Sequence, residues 1–327
     1  LPRFAVIKLR GGADRAMLED DDFSVWKENI CVDGGIWDMN NAAQSPNLWH
    51  FADESGVTSH DRLAALGLKF PAPELTEFVG FYSGNIMRFC RVKGLIIRNL
   101  TLKNPVCYGI QLGYVENFTV ADIAFDFAVG APKKWNMDGV HVEGYCRNGT
   151  IRNLKGACHD DTVAITADDG LYGPIENIEV DGIFGEHAHS AVRLLSHGLP
   201  VKNVSIRNVF GSYYVYCIGI TKYHGGEDER GVIENVTIEN VFACASEGTE
   251  DVSGGRYDFI WVQKGLDVKN LKIDTVYRDE RTYPTPTVKI DEGATVKGLK
   301  LTNVVTENRT GKPMTEIVID GEVTTAD

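Results

Sequence analysis

The chain has 327 residues, 43% hydrophobic and 24% charged, a balance that suits a folded globular protein and not a disordered one. Its 46 acidic residues outweigh 33 basic ones for a net charge of -13, so no basic excess is present to displace counterions from nucleic-acid phosphates. No apolar run reaches the ~18 residues of a spanning helix, and neither nucleic acid nor membrane is an expected partner. The 34 glycines exceed the usual ~7% and call for many turns.

The chain begins Leu1-Pro2-Arg3 without Met, which reads as a processed or truncated product. Its compartment stays open, with secreted or periplasmic favoured over cytoplasmic, and so does its oligomeric state. The seven cysteines (Cys31, Cys90, Cys107, Cys146, Cys158, Cys217 and Cys244) form no Cys-x-x-Cys pair. Neither a zinc site nor a disulfide framework is expected, and most should be small core residues.

Along the chain a short phrase recurs: Asn, apolar, any, apolar, any, Asn/Asp/Gly, apolar. It reads Asn117-Phe118-Thr119-Val120-Ala121-Asp122-Ile123, and returns from Asn177, Asn203 and Asn235. Looser copies start at Asn29, Gly94, Asn148, Asn270 and Gly298. Period-two alternation makes each copy a strand. Between them runs a second strand set: Gly109–Leu112, Gly139–Val142, Thr162–Ile165, Ala191–Leu194, Ile218–Ile220, Ile260–Val262 and Val288–Ile290. Short strands at intervals of 23 to 35 residues, with no helical period between them, predict an all-β chain. The architecture is a single parallel β-helix domain over residues 1–327, of about ten coils stacked ~4.8 Å apart. A leucine-rich repeat would need a fixed length and a Leu-x-x-Leu-x-Leu phrase, and shows neither. Asn99, Asn117, Asn148, Asn203, Asn235 and Asn308 also open Asn-x-Ser/Thr sequons. Corner asparagines bonding their neighbours in the stack explain them better than glycosylation.

Stacking turns sequence spacing into columns. With Val140, Val163, Val192 and Ile218 as equivalent inward residues, the residues two before are Asp138, Asp161, Ser190 and Tyr216. Those three before include Asp160 and His189, and the outward column one after runs Gln111, His141, Ala164, Arg193, Gly219, Trp261, Lys289. Asp138, Asp160, Asp161, His189 and Arg193 therefore converge on one solvent-accessible groove. Clustered carboxylates suit glycoside hydrolysis, where one donates a proton to the leaving oxygen and another, ionised, activates water. Crowding like charges raises a pKa and supplies the acid.

The runs Asn136-Met137-Asp138-Gly139 and His159-Asp160-Asp161-Thr162 resemble motifs of the polygalacturonases, family 28 of the glycoside hydrolases. That family carries Asn-x-Asp, Asp-Asp, Gly-His-Gly and Arg-Ile-Lys along a right-handed parallel β-helix. Asn29-Ile30-Cys31-Val32-Asp33-Gly34-Gly35-Ile36-Trp37-Asp38 resembles its early glycine-rich coil, and the likeness spans roughly 29–245. It implies inverting hydrolysis of a pectic, uronate-containing polysaccharide or oligosaccharide, with Asp160 as general acid and no cofactor or metal. Asp138 and Asp161 would hold and activate the water, and His189 would stand beside Asp160. It also implies that the N-terminal cap of the family is missing.

The departures fall on the substrate side. Thr162 replaces a cysteine, the glycines flanking the histidine are changed, and Gly219-Ile220-Thr221 stands where Arg-Ile-Lys should fall, with Lys222 one place late. Arg193 is the substitute clamp for a carboxylate. Asn136, Lys222 and His141 complete the expected substrate contacts. Trp135 is the best sugar-stacking platform, ahead of Tyr213, Tyr214, Tyr216 and Trp261. Two rival readings remain: a β-helix polysaccharide lyase using Ca²⁺ held by the acidic cluster, and a non-catalytic carbohydrate-binding solenoid.

Overall fold

The computed structural model describes residues 5–8, 10, 16–19, 22, 24–44, 84–127, 136–223, 226–248 and 256–326. Among them, twenty strands join one sheet whose ladders run parallel from coil to coil. The fold is a right-handed parallel β-helix. A three-residue 3-10 turn at Asn41–Ala43 interrupts it. No helix among the described residues is long and apolar enough to cross a membrane.

Two stacks of side chains fill the interior. In the short strands, Val140, Val163, Val192, Ile218, Ile260 and Val288 lie in one register, coil upon coil, as their spacing requires. In the long strands, Val120, Ile151, Val180, Ile206, Ile238 and Ile273 do the same. Each of these residues is fully buried. Full burial of such a side chain contributes about 1.5–3 kcal/mol, an upper figure because the unfolded chain already hides some of it. β-branched residues dominate both stacks because they pack well on a pleated surface.

The recurring phrase is a strand bounded by two corners. Its first residue is left-handed at Asn117, Asn148, Asn177, Asn203, Asn235 and Asn270, with φ of 55–60°. Its sixth is left-handed too, at Asp122, Asn153, Gly182, Asn208, Asn240 and Thr275. Glycine and asparagine tolerate this region best, which is why they recur there. The first corner forms a ladder: each Asn Nδ2 donates to the Oδ1 one coil earlier, from Asn270 back to Asn117, at 2.8–3.2 Å. Asn99 instead donates to Asp33, and Asn308 closes a local turn by donating to the Lys312 carbonyl. Cys90, Cys107, Cys146, Cys158 and Cys217 are buried, whereas Cys31 is exposed.

Candidate active site

The sequence register holds through the site. Ser190 pairs with Asp161, Arg193 with Ala164, His141 with Ala164, and Gly219 with Arg193. Backbone bonds lock the turns before these strands: Gly139 N–H donates to the Asp161 carbonyl at 2.9 Å and His189 N–H to the Cys158 carbonyl at 3.1 Å. A Cβ on Gly139 would meet the Thr162 carbonyl at 2.6 Å and the Phe125 ring at 2.7 Å. Only glycine allows the coils to approach this closely beside Asp138.

Asp138, Asp160, Asp161, His189 and Arg193 share one wall, but it is more closed than the sequence implies. Asp138 and Asp161 are 0% exposed, His189 3% and Asp160 8%. The residues from Ala167 to Gly173 fold back over the outer face, where Leu171 N–H donates to Glu143 Oε2 at 3.2 Å and Thr166 Oγ1 to the Asp169 carbonyl at 3.4 Å. Gly170, at φ 103°, permits this close approach, since a Cβ there would lie 2.7 Å from Glu143 Oε1.

The three carboxylates differ in what they touch. Asp161 Oδ1 accepts from the Ser190 hydroxyl and, at 2.9 Å, from Tyr216 Oη; its Oδ2 lies 2.7 Å from Arg193 Nε. Burial, then the charge of Asp161, raises the Tyr216 phenol and keeps it a donor. Asp160 accepts two backbone N–H groups, from Asp161 at Oδ1 and from Asn136 at Oδ2, both at 3.1 Å. His189 Nδ1 lies 3.7 Å from Asp160 Oδ1. Asp138 Oδ2 faces His141 Nδ1 at 2.7 Å, while its buried Oδ1 has no hydrogen-bond partner among the described residues. Burial first, then the charges of Asp160 and Asp161, holds the Asp138 carboxyl well above the ordinary carboxylate value. From the sequence, crowding is expected to raise the carboxyl of the general acid; in the structure the carboxyl raised is Asp138, and burial leads its causes ahead of the like charges.

The substrate-side residues are placed less simply. His141 points outward by register yet is 1% exposed, with Tyr108 stacked on its ring at 4.0 Å, so its partner is Asp138 and not open solvent. Arg193 is committed to Asp161, lies 3.8 Å from Asp169, and has its guanidinium 5.9 Å from the Tyr223 ring. Lys222 Nζ donates to the Gly226 carbonyl at 2.8 Å. Asn136 contributes its backbone N–H to Asp160. Trp135 lies outside the described residues.

On the C-terminal side of the cluster stands an aromatic wall. Tyr257 and Trp261 stack at 4.1 Å and 5°, with Tyr223 at 6.5 and 6.2 Å from them and Tyr216 at 6.2 and 6.3 Å. Trp261 Nε1 donates to Asp291, which fixes the indole. Tyr223 is 37% exposed and Tyr257 half-buried, so these rings, with Trp261 behind them, present the open surface. Tyr213 belongs to the core, its hydroxyl on the Phe210 carbonyl.

Sequence reasoning missed Tyr223, Tyr257 and Glu143. Glu143 was within reach, because it sits two residues after His141 on the same outward parity. The two tyrosines lie in turns outside the strand columns and carried no periodic signal. One ligand atom each from Asp160, Asp161 and His189 lies within 4.8 Å of the others, close enough together to hold a cation. Here, however, Arg193 already supplies the positive charge to Asp161, and a metal would have to displace it.

Against solved structures, the chain is similar in fold to the endo-xylogalacturonan hydrolase from Aspergillus tubingensis. The TM-score is 0.55 at 14% identity, over 99% of this chain and 86% of that one. It is similar to the polygalacturonase from Erwinia carotovora ssp. carotovora with a TM-score of 0.50 at 15% identity, over 99% of this chain and 75% of that one. The Streptococcus pneumoniae surface adhesin PfbA scores 0.49 at 14% identity, over 98% and 73%. No family model matches the sequence and no curated protein matches it. These likenesses show the fold: the chain has the right-handed parallel β-helix of polygalacturonase-type structures.

Proposed function

We propose that the protein is a glycoside hydrolase that cleaves a polysaccharide or oligosaccharide with inversion. The observation that carries this reading is the convergence of Asp138, Asp160 and Asp161 from consecutive coils on one wall, with Asp138 Oδ1 left without a hydrogen-bond partner among the described residues. Asp160 donates the proton to the leaving glycosidic oxygen, with His189 beside it. Asp138 takes a proton from the attacking water through Oδ1, and the water oxygen forms the new bond to the anomeric carbon as the old one breaks. Asp161 anchors the site through Ser190, Tyr216 and Arg193. Sugar faces stack on Tyr223 and Tyr257, since their C–H surfaces pack against aromatic rings.

Pectic polysaccharides head the substrate screen, as the motif resemblance implies. Neutral glycans belong beside them, because Gly219, Ile220 and Thr221 occupy the register of the uronate-gripping motif and Arg193 is held by Asp161. The experiment is reducing-sugar release over both groups by the wild type and by Asp160→Asn, with the product anomer read by NMR. Release that Asp160→Asn abolishes, with an inverted anomer, supports the reading. An ultraviolet-absorbing unsaturated product would replace it with the lyase. Saccharide binding without turnover would replace it with the binding solenoid.

A further inference from the structure

Asp138 does not stand alone. Its Oδ2 lies 2.7 Å from His141 Nδ1, and both side chains are 1% exposed. Tyr108 stacks on the imidazole at 4.0 Å and 13°, which fixes the ring plane. On the far side, Nε2 has Thr166 Oγ1 at 3.4 Å and Glu143 Oε1 at 3.5 Å. Glu143 is itself held: Gln111 Nε2 donates to Oε1 at 2.6 Å and Leu171 N–H to Oε2 at 3.2 Å. Asn85 Nδ2 donates in turn to Gln111 Oε1 at 2.6 Å. A largely buried polar chain therefore runs from Asn85 through Gln111, Glu143 and His141 to Asp138, ending on a carboxyl whose second oxygen has no hydrogen-bond partner among the described residues.

This chain has no role in the motifs that drew attention to the site. We infer that His141 is a positioning residue for Asp138, donating from Nδ1–H to Oδ2, so that it fixes the orientation of the carboxyl and favours its ionised form against the burial and like charges that oppose it. The inference rests on the reading of Asp138 as the base. The charges facing Asp138 make such a donor necessary. Asp160 and Asp161 oppose its ionisation, while Arg193 and His189 favour it from the same wall. The Cys107 and Cys158 thiols beside it are pushed up by burial and stay neutral. His141 is lowered by burial, with Glu143, Asp169 and Asp161 working against that and Arg193 with it. Arg88 faces Glu143. A neutral imidazole has one N–H to give, and the short contact lies at Nδ1, where Asp138 is.

The test compares His141→Leu with His141→Asn. Leucine removes the donor, whereas asparagine carries an amide nitrogen on the same side-chain atom that carries Nδ1. The Asp138 carboxyl is followed by carbon-13 NMR titration, which needs no substrate, and the acid limb of the kcat profile by glycan hydrolysis. His141→Leu should move both titrations up by about one to two units, since a charge-assisted bond of that strength is lost. It should lower kcat about tenfold to hundredfold. His141→Asn should restore most of both. A merely structural role would leave the Leu and Asn variants alike, and that result, or an Asp138 titration equal in all three proteins, overturns the inference. If the leucine variant does not fold, His141→Gln, whose amide nitrogen sits one atom too far, takes its place beside asparagine with the same expectations. A wild type that turns over no glycan while the titration shifts as stated would overturn the hydrolase reading and leave the His141–Asp138 coupling supported.

Discussion

Arg193 Nε lies 2.7 Å from Asp161 Oδ2, joining the strand Ser190–Leu195 to the strand Asp161–Thr166 across a buried coil boundary. Burial works against the guanidinium charge, and Asp161, with Tyr216, Asp169 and Asp138 behind it, raises its pKa regardless. Removing one member of such a pair strands the other charge, which typically costs about 3–5 kcal/mol. Arg193→Met should therefore lower the unfolding midpoint in urea markedly, even without any glycan. Near wild-type stability would show instead that Arg193 is free to serve a substrate carboxylate.

Asp160→Asn tests the acid. Turnover of a natural glycan should fall about 10²–10⁴-fold, with a smaller loss on substrates whose leaving group needs no proton. Because Asp160 accepts backbone N–H groups from Asp161 and Asn136, an amide that turns an N–H toward one of them should also cost about 1 kcal/mol. Calorimetry reads that small loss separately from the kinetics. Undiminished turnover would remove Asp160 from the acid role.

The raised Asp138 carboxyl has a definite sign in stability. Burial, ahead of Asp160 and Asp161, makes the folded protein bind this proton more tightly than the unfolded chain does. Its contribution is complete below the unfolded value of ~3.9 and is lost as pH rises through the folded value. Glu143, raised chiefly by burial, acts in the same direction. Asp138→Asn should therefore stabilise the protein at neutral pH, by about 1.4 kcal/mol for each unit of the rise. It should stabilise it less near pH 4, where Asp138 is protonated anyway. Equal gains at both pH values would contradict the raised carboxyl.

Tyr257→Ala would open the aromatic wall beside Trp261. Loss of a stacking face worth about 0.5–1.5 kcal/mol corresponds to roughly a twofold to tenfold rise in KM, with kcat little changed. Steady-state kinetics on the cleaved glycan separates the two. A drop confined to kcat would place the ring in chemistry instead of in binding.

Asn203 sits mid-ladder at φ 55°, donating to Asn177 and accepting from Asn235. Asn203→Ala forces a Cβ into the left-handed region without compensating bonds, at roughly 1–2 kcal/mol for the backbone alone. Asn203→Gly keeps the backbone and should lose less. Thermal unfolding of the two variants should rank glycine above alanine, and the reverse order would mean that the corner conformation is not the reason for asparagine there.

The sequence by itself determined the solenoid, its register and the meeting of the carboxylates. A parallel stack repeats one local geometry, so Val140, Val163, Val192 and Ile218 had to align, and Asp138 and Asp161 had to follow them. The corner asparagines were legible for the same reason, since left-handed backbone selects few residue types. Only the tertiary structure decided what covers the wall and how each carboxylate is partnered. The Ala167–Gly173 segment and the turns carrying Tyr223 and Tyr257 have no period to read, and their paths follow from close contacts such as Gly170 against Glu143. The assembled coils bury His141 beside Tyr108, set Arg193 against Asp161, and leave one oxygen of Asp138 without a hydrogen-bond partner among the described residues. Burial and hydrogen-bond partners are properties of the assembled coils, and they separate three aspartates that look alike in the chain.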